Sequence, residues 1–253
     1  MTSLHVSRSS GHNTGPPIVL LHGFGSDHRV WRDVRPHLES DRPVLAFDLP
    51  GHGRSLGRSE AGNAHVAAKA VLQCLAEMDI EAAHLAGHSM GGAAAALIAL
   101  MAPERVRSLT LLAPGAFGPE VNHRLLRRFA AAAEEAEIAL LLEQFFGWQN
   151  PLPAGLAAEL AETRRVDGQL AALEGIVETL FNGDVQKILP VEKLAGGRFP
   201  VKVVWGTQDR VLPTRQAHKL PGRIAVHIFE NAGHMLPYEI PGDVAHLIAE
   251  NAR

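Results

Sequence analysis

Gly87-His88-Ser89-Met90-Gly91 lies between two apolar runs of different character. The run before it, Ala82 to Ala86, has the length of a strand, and the run after it, Gly92 to Ala102, is too long and too alanine-rich to be one. The pentapeptide therefore reads as a corner between a strand and a helix. A serine at such a corner has its hydroxyl pushed past the carboxyl end of the strand, and the helix N-terminus behind it directs backbone N–H groups at developing negative charge. Glycines at 87, 91 and 92 let backbone pass close to backbone where a Cβ would clash. Alone, the pentapeptide is equally an ordinary glycine-rich turn, so its flanks carry the decision.

Upstream, Leu4 to Arg8 alternates weakly, as a short edge strand does, and Ser9 to Pro17 is turn chemistry. Ile18 to Leu21 and Val44 to Phe47 are wholly apolar, the mark of strands buried on both faces of a parallel sheet. Each runs into a glycine-containing loop, His22 to Asp27 and Asp48 to Ser55. A helix-like segment begins at Trp31 and Val34 and stops before Asp41, and a helix is expected from Ala61 to Met78. Downstream of the corner, Val106 to Leu112 reads as another buried strand. Alternation of strand and helix with short links predicts a doubly wound, mostly parallel α/β sheet.

The pattern then changes. From Asn122 to Phe181 there is no strand signal, and helical runs are expected over Arg124 to Ala136, Ile138 to Phe146, Ala154 to Val166 and Gln169 to Phe181. The sheet resumes at Val201 to Trp205 and ends with Ile224 to Phe229, after which Pro241 to Asn251 forms a closing helix. The expected division is a core of residues 1–117 and 200–253 with a helical cap, residues 118–199, inserted after the strand that follows the corner helix.

A serine hydroxyl is a poor nucleophile without a base and a group to orient that base. Asp209 and His234 stand in the exit loops of the two late strands, on the edge where Ser89 emerges. The expected roles are Ser89 as nucleophile, His234 as general base and acid, and Asp209 as its orienting carboxylate. Two backbone donors for an oxyanion are expected from Phe24, in the first buried strand's exit loop, and Met90, at the start of the corner helix. Asp184, in the turn Asn182-Gly183-Asp184, is the alternative acid.

In His22-Gly23-Phe24-Gly25, Asp48-Leu49-Pro50-Gly51-His52-Gly53, Gly87-His88-Ser89-Met90-Gly91-Gly92, Trp205-Gly206-Thr207-Gln208-Asp209 and Ala232-Gly233-His234, the chain resembles the α/β-hydrolase superfamily over nearly its whole length. The stretch Leu112 to Asn122 is similar to the hydrolase region of the acetoin dehydrogenase acetyltransferase component. That family has a lipoyl domain and an H-H-x-x-x-D-G acyltransferase signature that these 253 residues lack, so the resemblance implies a shared hydrolase body and not the acyl transfer. It implies an acyl-enzyme hydrolase of a carboxylic ester, thioester or lactone. Similar bodies hydrolyse the C–C bond of aromatic ring-cleavage products, and some hydrolase-like proteins bind ligands without turnover.

Composition narrows the partners. A net charge of −3 with 46% hydrophobic residues gives no footprint for nucleic acid, and the longest apolar run is short of a membrane span. With no apolar leader near Met1, a cytoplasmic location and a small-molecule substrate are expected; the oligomeric state is not encoded legibly. The single cysteine, Cys74, reads as a packed thiol. Among fourteen histidines, His22, His28 and His52 gather near the expected mouth without a carboxylate or thiolate at metal spacing, so neither metal nor other cofactor is expected, and His22 and His52 read as hydrogen-bonding supports. In a chain only 5% aromatic, Phe117, Phe145, Phe146, Trp148 and Phe181 concentrate in or beside the helical region, as packing or as an apolar substrate pocket. Arg124, Arg127 and Arg128 share one helix, either as its solvated face or as a contact for a substrate carboxylate.

Overall fold

The computed structural model describes residues 3–9, 15–38 and 42–253. The expected turn across residues 10–14 and the end of the helix-like segment at 39–41 lie outside the described residues. In chain order the elements are β1 (Val6–Ser9), β2 (Ile18–Leu21), β3 (Val44–Phe47), α1 (Ala64–Glu77), β4 (Ala83–His88), α2 (Met90–Met101) and β5 (Val106–Leu112). There follow α3 (His123–Ala131), α4 (Glu135–Leu142), α5 (Leu156–Arg164), α6 (Gln169–Leu180), the hairpin β6 (Phe181–Asn182) and β7 (Val185–Gln186), and α7 (Val191–Ala195). The chain closes with β8 (Val201–Gly206), β9 (Ala225–Phe229), α8 (Leu236–Glu239) and α9 (Pro241–Asn251).

Seven strands form one sheet in the order β1-β3-β2-β4-β5-β8-β9. β1 is antiparallel to β3, and every other pairing is parallel. This is an α/β-hydrolase fold. The apolar runs of β2 and β3 are buried at every position, as strands covered on both faces must be. After β2 the chain steps to one side to make β3, then returns to lay β4 on the other side. The order therefore reverses beside β2, and the loops leaving β2 and β4 part there to frame a crevice, the position at which open α/β sheets hold ligands.

Because α2 is buried on nearly every side, its apolar residues do not segregate to one face. It packs against α1, β4 and β5. Asn63 caps α1, its side chain accepting the N–H groups of His65 at 3.0 Å and Val66 at 3.4 Å. No helix among the described residues is long and apolar enough to cross a membrane.

Four sequence expectations change. The segment from Trp31 forms short 3₁₀ turns at His28–Trp31 and Arg35–His37, where Pro36 offers no N–H to extend a helix. The alanine-rich run expected to be helical through Ala136 stops at Ala131, and α4 stops at Leu142 rather than Phe146. Beyond Leu142 the backbone is drawn away by tertiary bonds: Phe145 O accepts from His234 N at 2.7 Å, and Phe146 O accepts from an Arg210 guanidinium nitrogen at 2.6 Å. The β6–β7 hairpin was not expected; Gly183 turns it with φ +66°, so the turn read at Asn182-Gly183-Asp184 closes a two-residue ladder.

Candidate active site

Ser89 is the first residue past β4 and has φ 53° and ψ −116°, a conformation that non-glycine residues rarely adopt. Its surroundings hold it there. Ser89 N donates to Leu112 O at 2.9 Å, while Ser89 O accepts from Ala93 N and Gly115 N at 3.0 Å each. A Cβ on Gly91 would run into the carbonyls of Leu21 and His22, and one on Gly23 would lie 3.2 Å from the Ser89 Cβ. The glycines thus let the β2 exit loop close against the serine. The Ser89 hydroxyl is engaged by no group of the described residues.

Asp209 and His234, from the loops after β8 and β9, meet: His234 Nδ1 lies 2.8 Å from Asp209 Oδ2. The carboxylate is also the acceptor for Trp205 Nε1 on Oδ2 at 3.0 Å and for the N–H groups of Val211 at 2.9 Å and Leu212 at 2.8 Å on Oδ1. With Asp209 accepting throughout, His234 Nδ1 carries the proton and Nε2 is left with a lone pair. His88 buttresses the histidine. Burial pushes its imidazole well below the usual histidine pKa, so it is neutral, and its Nε2–H donates to His234 O at 2.8 Å. The two rings pack at 4.8 Å between centroids.

Histidines also hold the loop after β2. His22 Nε2 accepts from Leu49 N at 2.9 Å while its Nδ1 bonds Gly23 O at 2.7 Å. His52 Nε2 accepts from Gly25 N at 3.0 Å while Nδ1 bonds Pro50 O at 3.0 Å. Burial lowers both pKa values, that of His52 to about 3, as neutral rings that donate and accept at once require. These bonds clamp both sides of Phe24, whose N–H has no acceptor among the described residues; nor does that of Met90, in the first turn of α2.

A cavity of about 500 Å³ is lined by Ser89, Phe24 and Met90. Its remaining wall is mostly apolar, with Val66 and Leu97 from the core helices and Leu126, Leu180 and Phe181 from the insertion. Phe181 is the one of the five aromatics flagged in the sequence that lines it. Phe117, Phe145 and Phe146 are buried in packing, and Trp148 is 77% exposed, which corrects the expectation of a five-aromatic pocket. Phe145 instead faces His234, ring centroids 6.0 Å apart.

Asp184 is exposed and pairs with His123 at 3.2 Å, whereas the carboxylate bonded to His234 is that of Asp209. Arg127 pairs with Glu178 at 2.9 Å, and Arg124 and Arg128 are exposed, so this helix face is solvated. Cys74 is buried. His28 joins His5 and Asp48 rather than His22 and His52, with donor atoms within 4.8 Å of one another. The Asp48 carboxylate there is already occupied by His28 N, His28 Nδ1 and Arg54 N at 2.7–2.9 Å.

Two residues escaped the sequence reading. Trp205 looked like strand filling, yet its Nε1–H is the fourth donor to Asp209. Arg164 is 4% exposed; its Nε and Nη2 have no partner, burial draws its pKa down to about 10, and its guanidinium stands 5.1 Å over the Phe129 ring beside Gly25. The signal was available: Arg164 continues the buried stripe Leu156, Ala157, Leu160, Ala161 at helical spacing.

Comparison with known proteins agrees with this architecture. Residues 16–241 match the family model described as alpha/beta hydrolase fold. The dihydrolipoyllysine-residue acetyltransferase component of the acetoin cleaving system of Pseudomonas putida is 36% identical over 229 residues, 90% of this chain and 61% of that protein. The chain thus spans about three fifths of that relative's length. A 2-hydroxy-6-oxononadienedioate/2-hydroxy-6-oxononatrienedioate hydrolase of Cupriavidus pinatubonensis is 30% identical over 240 residues, 88% of this chain and 81% of that one. Among solved structures, a bacterial membrane phospholipase A superposes with a TM-score of 0.82 at 29% identity, covering 99% of this chain and 84% of its own. By its sheet order, its strained serine corner and the family match across nearly its whole length, the chain belongs to the α/β hydrolase fold family.

Proposed function

We propose that the protein is a serine hydrolase that cleaves a carboxylic ester, thioester or lactone of a small apolar substrate through an acyl-enzyme. The observation that carries the reading is the 2.8 Å bond between Asp209 and His234, made on the same sheet edge as a strained serine that lines an apolar cavity. In this mechanism Ser89 Oγ attacks the carbonyl carbon while His234 Nε2 takes its proton. The carbonyl oxygen becomes an oxyanion between the N–H groups of Phe24 and Met90, a contribution of ~10²–10³ in turnover per donor. The proton then passes from His234 to the leaving oxygen or sulfur, and water, activated by the same base, releases the acid. The insertion, residues 118–199, acts as a cap, since Leu126, Leu180 and Phe181 cover the acyl part. Acyl transfer, named for the acetoin-system relatives, is not carried over, because the chain holds no H-H-x-x-x-D-G signature.

A second reading is hydrolysis of a C–C bond in a ring-cleavage dienoate. It draws on relatives rather than on the cavity, since Arg164, buried with unpartnered nitrogens beside Gly25, is not among the residues that line the Ser89 cavity. The Cupriavidus pinatubonensis relative is named for dioate substrates of this kind.

Folded protein at neutral pH is expected to be labelled at Ser89 by a fluorophosphonate, and S89A to resist the label. An unlabelled wild type would sink the acyl-enzyme mechanism and favour a binding role. Turnover of a p-nitrophenyl ester series set beside a ring-cleavage dienoate separates the two hydrolytic readings, since activity on the dienoate alone would replace the first by the second.

A further inference from the structure

Glu239 ends α8, five residues past His234, and no step of the mechanism uses it. Its carboxylate accepts four hydrogen bonds. Oε2 takes the N–H of Gly147 at 2.8 Å, the N–H of Gly233 at 2.8 Å and Nδ2 of Asn150 at 2.6 Å. Oε1 takes the N–H of Met235 at 2.9 Å. Two of the donors flank His234 in sequence, and the other two belong to the insertion segment that follows α4.

That segment touches the histidine loop in other ways. Phe145 O accepts from His234 N at 2.7 Å, Asn150 Nδ2 also reaches Asn231 O at 3.0 Å, and a Cβ on Gly233 would lie only 2.5 Å from Gly147 N. Backbone thus lies on backbone, with one carboxylate tying both strands of the contact.

We infer that Glu239 is a positioning residue that fixes the loop of the base and, through the same two oxygens, makes the seating of residues 145–150 a condition for presenting His234. The inference rests on the reading of His234 as the general base. Without the carboxylate, three backbone N–H groups lose their acceptor, and the loop is free to trade its catalytic placement for other partners. A displacement of about 1 Å at a reacting group is enough to cost ~10² in rate. Glutamine at this position can keep an oxygen toward Gly147, Gly233 and Asn150 but then turns an NH₂ toward the Met235 N–H, so it keeps three of the four bonds.

The test compares E239A, E239Q and H234A with wild type, using steady-state kinetics on p-nitrophenyl butyrate and the second-order rate of Ser89 labelling by a fluorophosphonate. The expected result is a fall in kcat of ~10² for E239A and ~10 for E239Q, KM within about threefold, and labelling rates falling in parallel. Circular dichroism checks that each variant is folded, and E239Q alone decides the matter where E239A is not. Folded E239Q with wild-type kcat and labelling overturns the inference, as does a rise in KM at unchanged kcat, which would make Glu239 a binding element only. H234A that still turns over and labels normally would instead remove the assignment of the base, whatever Glu239 does.

Discussion

Asp209 holds four donors with two oxygens, and that count decides what its replacement does. In D209N the amide oxygen can still accept from Val211 N and Leu212 N, so the turn survives. The amide nitrogen then faces His234 Nδ1 and Trp205 Nε1, where acceptors are needed. His234 is driven to the tautomer protonated at Nε2, the wrong nitrogen to receive a proton from Ser89. Turnover is expected to fall by ~10⁴ with the far-ultraviolet dichroism unchanged. Near-normal kcat in folded D209N would dismiss Asp209 as the orienting acid, and the exposed Asp184, paired with His123, has no geometry with which to replace it. Trp205 belongs to the same unit, since its indole N–H is shared between Asp209 Oδ2 and Leu212 O at 2.9 Å and so carries the strand's rigidity into the acid loop.

At the level of elements, the strands and their exit loops were legible because local sequence decides them: β2 and β3 are apolar runs followed within three residues by glycine or proline, and Ser89, Asp209 and His234 lie one, three and five residues past the ends of β4, β8 and β9. The insertion was legible as helices but not as a pocket. Phe145, Phe146, Trp148 and Phe181 are alike in composition, and which of them meets substrate depends on how the helices turn on the core, information that no local pattern holds. Nor did the pattern show that α4 ends at Leu142, because the cause lies some seventy to ninety residues on, in Arg210 and His234. The distinction between the aromatics is measurable. F181A removes a cavity wall and is expected to lower kcat/KM for a medium-chain p-nitrophenyl ester by about 1–2 kcal/mol, roughly 5- to 30-fold. W148A, altering a side chain 77% exposed, is expected to stay within about twofold. Equal losses in both would return Trp148 to the pocket and displace Phe181 from its special place.

Over the whole molecule, the neutral histidines set a pH limit on the fold itself. His22, His52 and His88 are at most 2% exposed, each makes a hydrogen bond that places a loop of the site, and burial lowers the pKa of each. In the unfolded chain such groups titrate near 6.5. As pH falls below 6.5 the unfolded chain takes up protons that the native rings refuse, so stability is complete above 6.5 and declines below it. The decline due to His52 ends near its folded pKa of about 3. By pH 5.5 His52 alone accounts for a loss of about 1.4 kcal/mol, and His22 and His88 act in the same direction. Carboxylates held below their ordinary pKa, such as Asp27 with its Arg29 partner, exert their effect only under about pH 4.5, which leaves the window from 5 to 6.5 to the histidines. Urea unfolding at pH 7.5, 6.5 and 5.5 is therefore expected to show a midpoint that falls steadily, with proton uptake on unfolding. In H52Q, whose amide can accept from Gly25 N and donate to Pro50 O, the stability at pH 5.5 should move closer to that at pH 7.5, and the uptake at pH 5.5 should drop by about one proton. A midpoint unchanged between pH 7.5 and 5.5 would mean that these rings are charged in the native protein, and the neutral clamp on the Phe24 loop would have to be abandoned with them.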